Sequence, residues 1–334
     1  MSQPSTNKPR ARGRQFFFNP GPTNIPDSVL RAMDRATIDF LTDEFKAVLA
    51  RVHTSLKRAL RTDQNLLLYG TNGHGAWEAA LANLFSLGDK VLILESGYFS
   101  YHWTKMGREL GLEVETLPAD WRRGVSAETL AEHLARDRAH EIKAVLVVHN
   151  ETATGLCHPL PELRGAIDAA RHPALFLVDT ISSFASMDFR FDDWGIDVAV
   201  GGSQKGLMMV TGLSFTAISR RAMERSKKSA GLRRSFFDWH QMQLVEPQRF
   251  PGTSPVHLIY GLDEALRLLE DEGMDAVIAR HARFGNATRA AARHWGGGAS
   301  SPATVGWEAV DGAIDGIQLF CTDPARLSDS VTAI

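Results

Sequence analysis

The sequence predicts an α/β fold: a large domain with a mainly parallel, seven-stranded sheet covered by helices, followed by a small, shortened C-terminal α+β domain. Three observations carry this. Short runs that are apolar throughout recur along the chain, helical patterns separate them, and the unusual polar residues fall directly after the runs. Strands buried on both faces lose the in–out alternation of an antiparallel sheet, and helical crossovers make parallel neighbours. In such a sheet a ligand sits beyond the carboxyl ends of the strands, which gathers residues distant in sequence on one edge.

The elements follow in order. Residues 1–15 are polar and basic, with Lys8, Arg10, Arg12 and Arg14, and read as a flexible arm without the apolar core of a secretory signal. Phe16-Phe17-Phe18 is stopped by Asn-Pro-Gly-Pro. Leu66–Tyr69 reads as a strand and Ala76–Leu87 as a helix with Ala, Leu and Trp on one face. Lys90–Glu95 is the second strand, a helical stretch covers 101–111, and Glu113–Leu117 is the third strand. Ser126 is placed to cap a helix over 127–137, with Glu128 favourable in its first turn. Lys143–His149 is a buried strand with its helix at 160–171. Ala174–Asp179, Asp197–Gly201 and Leu213–Ser219 complete the set. Helices over 261–272 and 274–295 precede a glycine-rich turn at Gly296–Gly298, and Gly316–Cys321 reads as a strand of the second domain. The expected division is an arm at 1–15, a large domain at 16–255 and a small domain at 256–334.

Composition narrows the functional classes. The 334 residues are 44% hydrophobic and 23% charged, which suits a two-domain soluble enzyme. A net charge of −2 provides no bulk attraction to nucleic acid or to an anionic membrane, and no apolar stretch is long enough to span one. Cys157 and Cys321 are the only cysteines, too few for a disulfide framework or a cysteine zinc site, so no metal is expected and a reducing cytoplasm is.

Three features carry chemistry. Gly70-Thr71-Asn72-Gly73-His74-Gly75 joins a strand to a helix, which makes either an ordinary tight turn or a backbone cradle for an anion at a helix N-terminus. Asp179 ends the apolar run Leu-Phe-Leu-Val, where a carboxylate is costly without a partner; it either caps the next loop or faces a protonated ring nitrogen. Lys205 lies in Gly-Gly-Ser-Gln-Lys-Gly before Leu-Met-Met-Val. An ammonium in so apolar a setting has a lowered pKa, which suits Schiff-base chemistry.

Together these residues resemble the class V aminotransferases, fold type I enzymes that use pyridoxal 5'-phosphate (PLP), and most of all the serine/alanine/aspartate–glyoxylate group. FNPGPTNIPDSV at 18–29, GTNGHGAWEAAL, HNETATG, the stretch from Asp179 to GGSQKG and RRSFFDW at 233–239 match in order. The resemblance implies that Lys205 carries PLP as a Schiff base and shuttles a proton between the substrate α-carbon and cofactor C4′. It implies that Asp179 pairs with the pyridinium nitrogen, Phe99 stacks on the ring and Thr152 hydrogen-bonds its phenolic oxygen. Gly73, His74 and Gln204 would bind the phosphate, Thr253 would reach the neighbouring subunit's phosphate in a homodimer, and Gly21 would approach the substrate by its backbone. The implied reaction moves the amino group of serine, alanine or aspartate to glyoxylate or a related 2-oxo acid.

The departures are specific. Phe250 stands where many relatives have a tyrosine, and Val210-Thr211-Gly212 replaces Pro-Pro-Gly. Phe320–Ile334 resembles the start of the small domain's sheet, and no Arg-Ile-Gly motif, whose arginine grips the substrate carboxylate, occurs. That absence motivates the alternative of a truncated PLP-binding homologue with little turnover; a PLP-dependent lyase on the same fold is a third reading.

Overall fold

A computed structural model describes residues 19–229, 231–243, 250–296 and 317–334. The chain opens with α1 (Asp27–Met33) and α2 (Asp43–Leu60). It continues through β1 (Asn65–Tyr69), α3 (Gly73–Leu84), β2 (Lys90–Leu94), α4 (Tyr98–Glu109), β3 (Glu113–Leu117), α5 (Ala127–Arg136) and β4 (Ile142–Val148). A two-residue pair, β5 (Asn150–Glu151) and β6 (Leu156–Cys157), precedes α6 (Leu160–Ala169), β7 (Leu175–Asp179), β8 (Val198–Gly202) and β9 (Ser214–Ile218). Then come α7 (Arg220–Lys228), α8 (Trp239–Met242), α9 (Val256–Glu272) and α10 (Met274–Trp295).

The seven long strands form one sheet in the order β1-β9-β8-β7-β4-β2-β3. Only β9 runs antiparallel to its neighbours, so the expectation of a mainly parallel sheet holds. From β2 the chain steps outward to β3, returns to β4 on the other side of β2, and then moves away through β7 and β8. The direction of winding therefore reverses beside β4, which opens a crevice at the carboxyl ends of these strands.

Alternation along each strand divides the core. On β7, Phe176 and Val178 pack with α2, α5, α6 and α9, whereas Leu175 and Leu177 face α3, α4, α7 and α8. Both faces are buried, which explains the uninterrupted apolar runs. The stripe Phe45, Val48, Leu49, Val52, Leu56 and Leu60 explains α2, an element the sequence reading passed over; its first turn is closed by the Thr42 hydroxyl, which accepts from Phe45 N–H.

Some boundaries shift for local reasons. The helix expected over Ala76–Leu87 begins at Gly73 because the Asn72 side chain caps it, accepting from His74 N–H at 3.1 Å. The helix expected at 101–111 begins at Tyr98. Ser126 caps α5 as anticipated, accepting from Thr129 N–H at 3.1 Å.

The strand expected at Gly316–Cys321 is not formed over Ile317–Cys321, the part that is described. The segment 317–334 instead lies against Arg122, Leu156 and α10. Arg122 Nε donates to Phe320 O at 2.9 Å, Leu327 bridges Leu156, and the buried Arg289 of α10 binds Asp329 at 2.9 Å and the carbonyl of Ser328. The arm at 1–15 and Gly297–Gly298 lie outside the described residues. No helix among the described residues is long and apolar enough to cross a membrane.

Candidate active site

The crevice holds a cavity of about 260 Å³ at the carboxyl ends of β4, β7 and β8, closed on one side by the start of α3. Gly21, Gly73, His74, Phe99, Thr152, Asp179, Gln204 and Lys205, eight of the nine residues singled out above, line it. Thr253 does not: it is exposed in the turn before α9. Phe250 is buried in the core.

Lys205 sits in the turn that follows β8. Its Nζ donates to the carbonyl of Pro20 at 2.7 Å, and burial lowers its pKa while the charge of Asp179 opposes the shift. The turn can be this tight because a Cβ on Gly206 would lie 2.2 Å from the carbonyl oxygen of Phe184. Segment 20–23 is strapped over the lysine: Thr23 N–H donates to Gln204 O at 3.1 Å and its hydroxyl to Lys205 O at 3.2 Å. Gly21 is required within that strap, since its φ is +147° and a Cβ would fall 2.4 Å from Lys205 Nζ.

Asp179 closes β7, only 3% exposed. Its two oxygens accept from Trp77 Nε1 at 2.9 Å and from Ile181 N–H at 2.6 Å. Burial pushes its pKa up to about 7, the negative charge of Glu151 adds to that, and the two donors and Lys205 pull the other way. A carboxylate held like this is stabilised by a cationic N–H in the cavity. Trp77, which the sequence marks only as part of an apolar helix face, is a functional partner of Asp179. Its indole stacks on Trp103 at 5.4 Å and meets the Phe99 ring edge-on at 6.4 Å, so it both orients Asp179 and backs the aromatic wall.

His149, behind Asp179, is buried and neutral: burial depresses its pKa to about 3, and Nδ1 pairs with Ser183 Oγ at 2.9 Å. Its backbone N–H donates to Asp179 O at 2.9 Å, so it steadies the strand end from outside the cavity.

At the other end, the N-terminus of α3 directs partial positive charge into the cavity, a setting for an anion. Gln204 lines the same cavity, and its buried Oε1 has no hydrogen-bond partner among the described residues. The set therefore fits an elongated, planar molecule with an anionic group at the α3 end, an aromatic face against Phe99, a protonatable ring nitrogen near Asp179 and a carbonyl within reach of Lys205. No arginine lines the cavity among the described residues. Neither Cys157 nor Cys321 lines it.

Comparison with known proteins agrees with this geometry. The family model described as "Aminotransferase class-V" matches residues 15–292. The serine–glyoxylate aminotransferase of Methylorubrum extorquens is 43% identical over 293 residues, spanning 86% of this chain and 73% of the relative. The L-aspartate–glyoxylate aminotransferase of Paracoccus denitrificans is 41% identical, spanning 95% and 76%. Among solved structures, alanine–glyoxylate aminotransferase from Nostoc sp. superposes with a TM-score of 0.78 at 29% identity, over 86% of this chain and 75% of that one.

Proposed function

The chain belongs to the class V aminotransferases, and from that premise we propose that it moves the amino group of a small amino acid, serine, alanine or aspartate, to glyoxylate or a related 2-oxo acid. PLP is the cofactor of this family. The observation that carries the site assignment is the joint placement of Lys205 and the buried Asp179 in one cavity with an anion-binding helix start. When bound, PLP supplies an electron sink for the charge that develops at the substrate α-carbon.

The residues of the chain divide the remaining work. Asp179, held by Trp77 and Ile181, keeps a ring nitrogen protonated, because a buried carboxylate and a cation stabilise each other. The α3 start, with Gly73 and His74, and the Gln204 amide hold the phosphate. Phe99 supplies a face for the ring, and Thr152 a hydroxyl for its phenolic edge. Lys205 would hold the cofactor through Nζ, and with its lowered pKa it would be the group in the turn after β8 that takes up and returns the substrate Cα proton. Gly21 presents backbone alone to the substrate beside that nitrogen.

Two finer statements belong to the same reading. Thr253, exposed and outside the cavity, supports an arrangement in which it completes the phosphate site of a second copy, hence a homodimer. The free Cys157 and Cys321 support a cytoplasmic setting.

The test is direct. Purified protein given PLP should develop a visible absorption band, and L-serine with glyoxylate should yield hydroxypyruvate and glycine. Lys205→Ala should lose both the band and at least about 1000-fold of the turnover, the scale for removing an activated nucleophile and proton carrier. A wild-type protein that takes up no PLP would overturn the reading.

A further inference from the structure

Three residues assigned above to the cofactor ring, Phe99, Thr152 and Asp179, converge on a side chain outside that set. Glu151 is fully buried. Its Oε2 accepts from Phe99 N–H at 3.1 Å and Ser100 N–H at 3.2 Å, and its Oε1 from Ala153 N–H at 3.2 Å. It thus holds the backbone on both sides of the aromatic wall and on the far side of its own neighbour, Thr152. Its charge also reaches Asp179, whose proton affinity it raises.

This is an unusual way to begin a helix. Other described helix starts that have a side-chain cap take it from the residue directly before the helix: Thr42 for α2, Asn72 for α3, Ser126 for α5, Ser219 for α7 and Asp238 for α8. Gly97, at the start of α4, has no side chain to contribute, and a Cβ there would lie 2.5 Å from Glu151 Cγ. A serine at 97 would cap α4 without burying a charge. The chain instead buries a second carboxylate within the field of Asp179, which costs desolvation and like-charge repulsion. That cost is offset where the groups being held must not move.

We propose that Glu151 is the positioning residue of the cofactor ring: through Phe99 N–H it fixes the stacking wall, and through the 151–153 turn it fixes the Thr152 hydroxyl. The assignment rests on the functional reading above.

The experiment compares wild type, Glu151→Gln and, as a cap remote from the cavity, Ser126→Ala, each titrated with PLP. Three quantities are read: the thermal midpoint of the cofactor-free protein, the PLP dissociation constant, and the visible circular dichroism of the saturated protein, which reports the asymmetry imposed on the bound ring. Glu151→Gln keeps the side-chain size but sets an NH₂ against a backbone N–H. Expected are a PLP dissociation constant raised about tenfold or more and a visible dichroism reduced to about half or less, the scale of losing hydrogen bonds to a charged acceptor. Ser126→Ala should lower the thermal midpoint and leave both PLP readouts unchanged.

A Glu151→Gln protein that behaves like Ser126→Ala, less stable but with unaltered affinity and dichroism, overturns the proposal. If Glu151→Gln does not fold, Gly97→Ala displaces the carboxylate from the opposite side. It should move both PLP readouts in the same direction, and unchanged readouts there overturn the proposal equally. Failure of the wild type to bind PLP removes the functional reading itself, an outcome distinct from a binding-competent wild type matched by its variants.

Discussion

Asp179 concentrates the electrostatics of this site in one carboxyl group. With burial raising its pKa to about 7 against an ordinary value of 3.8, the folded cofactor-free protein keeps a proton there that the unfolded chain has already released. Stability from this group therefore falls as pH rises through that window, because the native state binds the extra proton. Urea unfolding of cofactor-free wild type and Asp179→Asn at about pH 5 and about pH 8 should show the wild type losing roughly 2 kcal/mol relative to the variant on going to the higher pH. Equal pH slopes would mean that Asp179 is ionised throughout. The variant should also hold PLP more weakly. At Gly21 the argument is steric. An added methyl meets Lys205 Nζ and demands a φ that L-residues avoid, so Gly21→Ala should fold yet lose about 100-fold in turnover, the scale of a 1 Å misplacement of a reacting group. Steady-state kinetics beside a thermal melt separates that loss from unfolding.

Strands and helices were legible to the degree that their apolar patterns were local. The buried strands β2, β4 and β7 could be read from KVLIL, IKAVLVV and LFLVD, since a segment covered on both faces must be apolar at every position. Phe176 at the centre of β7 is fully buried, so Phe176→Ala should cost about 3–5 kcal/mol in chemical denaturation, against about 1 kcal/mol for removing the half-buried cap Ser126. Helix starts were harder. α3 begins at a glycine pair whose helical state is set by the Asn72 cap, and α4 at a glycine whose cap arrives from residue 151. Such starts carry no signal in their own few residues.

Across the whole molecule, the described residues 317–334 lie against Arg122, Asn150 and Leu156 on one side and α10 on the other. Arg289 is the pin: nearly buried on α10, it holds Asp329 and the Ser328 carbonyl, while Ser330 accepts from Asn150 at 2.8 Å beside the cavity. Arg289→Ala should release this segment. Limited proteolysis should then cut within 317–334 faster than in wild type, with about 2–4 kcal/mol of stability lost, as for breaking a largely buried ion pair. Unchanged cleavage would show that the backbone bridge between Leu327 and Leu156 suffices. The homodimer proposal is tested at the same scale: sedimentation should give a species of two chains, and Thr253→Ala should weaken PLP binding without changing that species.

Lys205 and Asp179 stood out in the bare sequence because the chemistry of misplaced polarity is written there. A carboxylate after four apolar residues and a lysine among glycines are anomalous wherever the chain folds, and a parallel sheet delivers both to one edge. The partners that make those groups work could not be read in that way. Trp77 reaches Asp179 from 102 residues away, and Glu151 reaches Phe99 from 52 residues away through backbone N–H groups that every residue possesses. Neither a hydrogen bond to the main chain nor the depth of a side chain leaves a mark on residue type. The raised pKa of Asp179, the strap of segment 20–23 over Lys205 and the resting place of the 317–334 segment are properties of distance and burial, and those exist only once the chain has closed on itself.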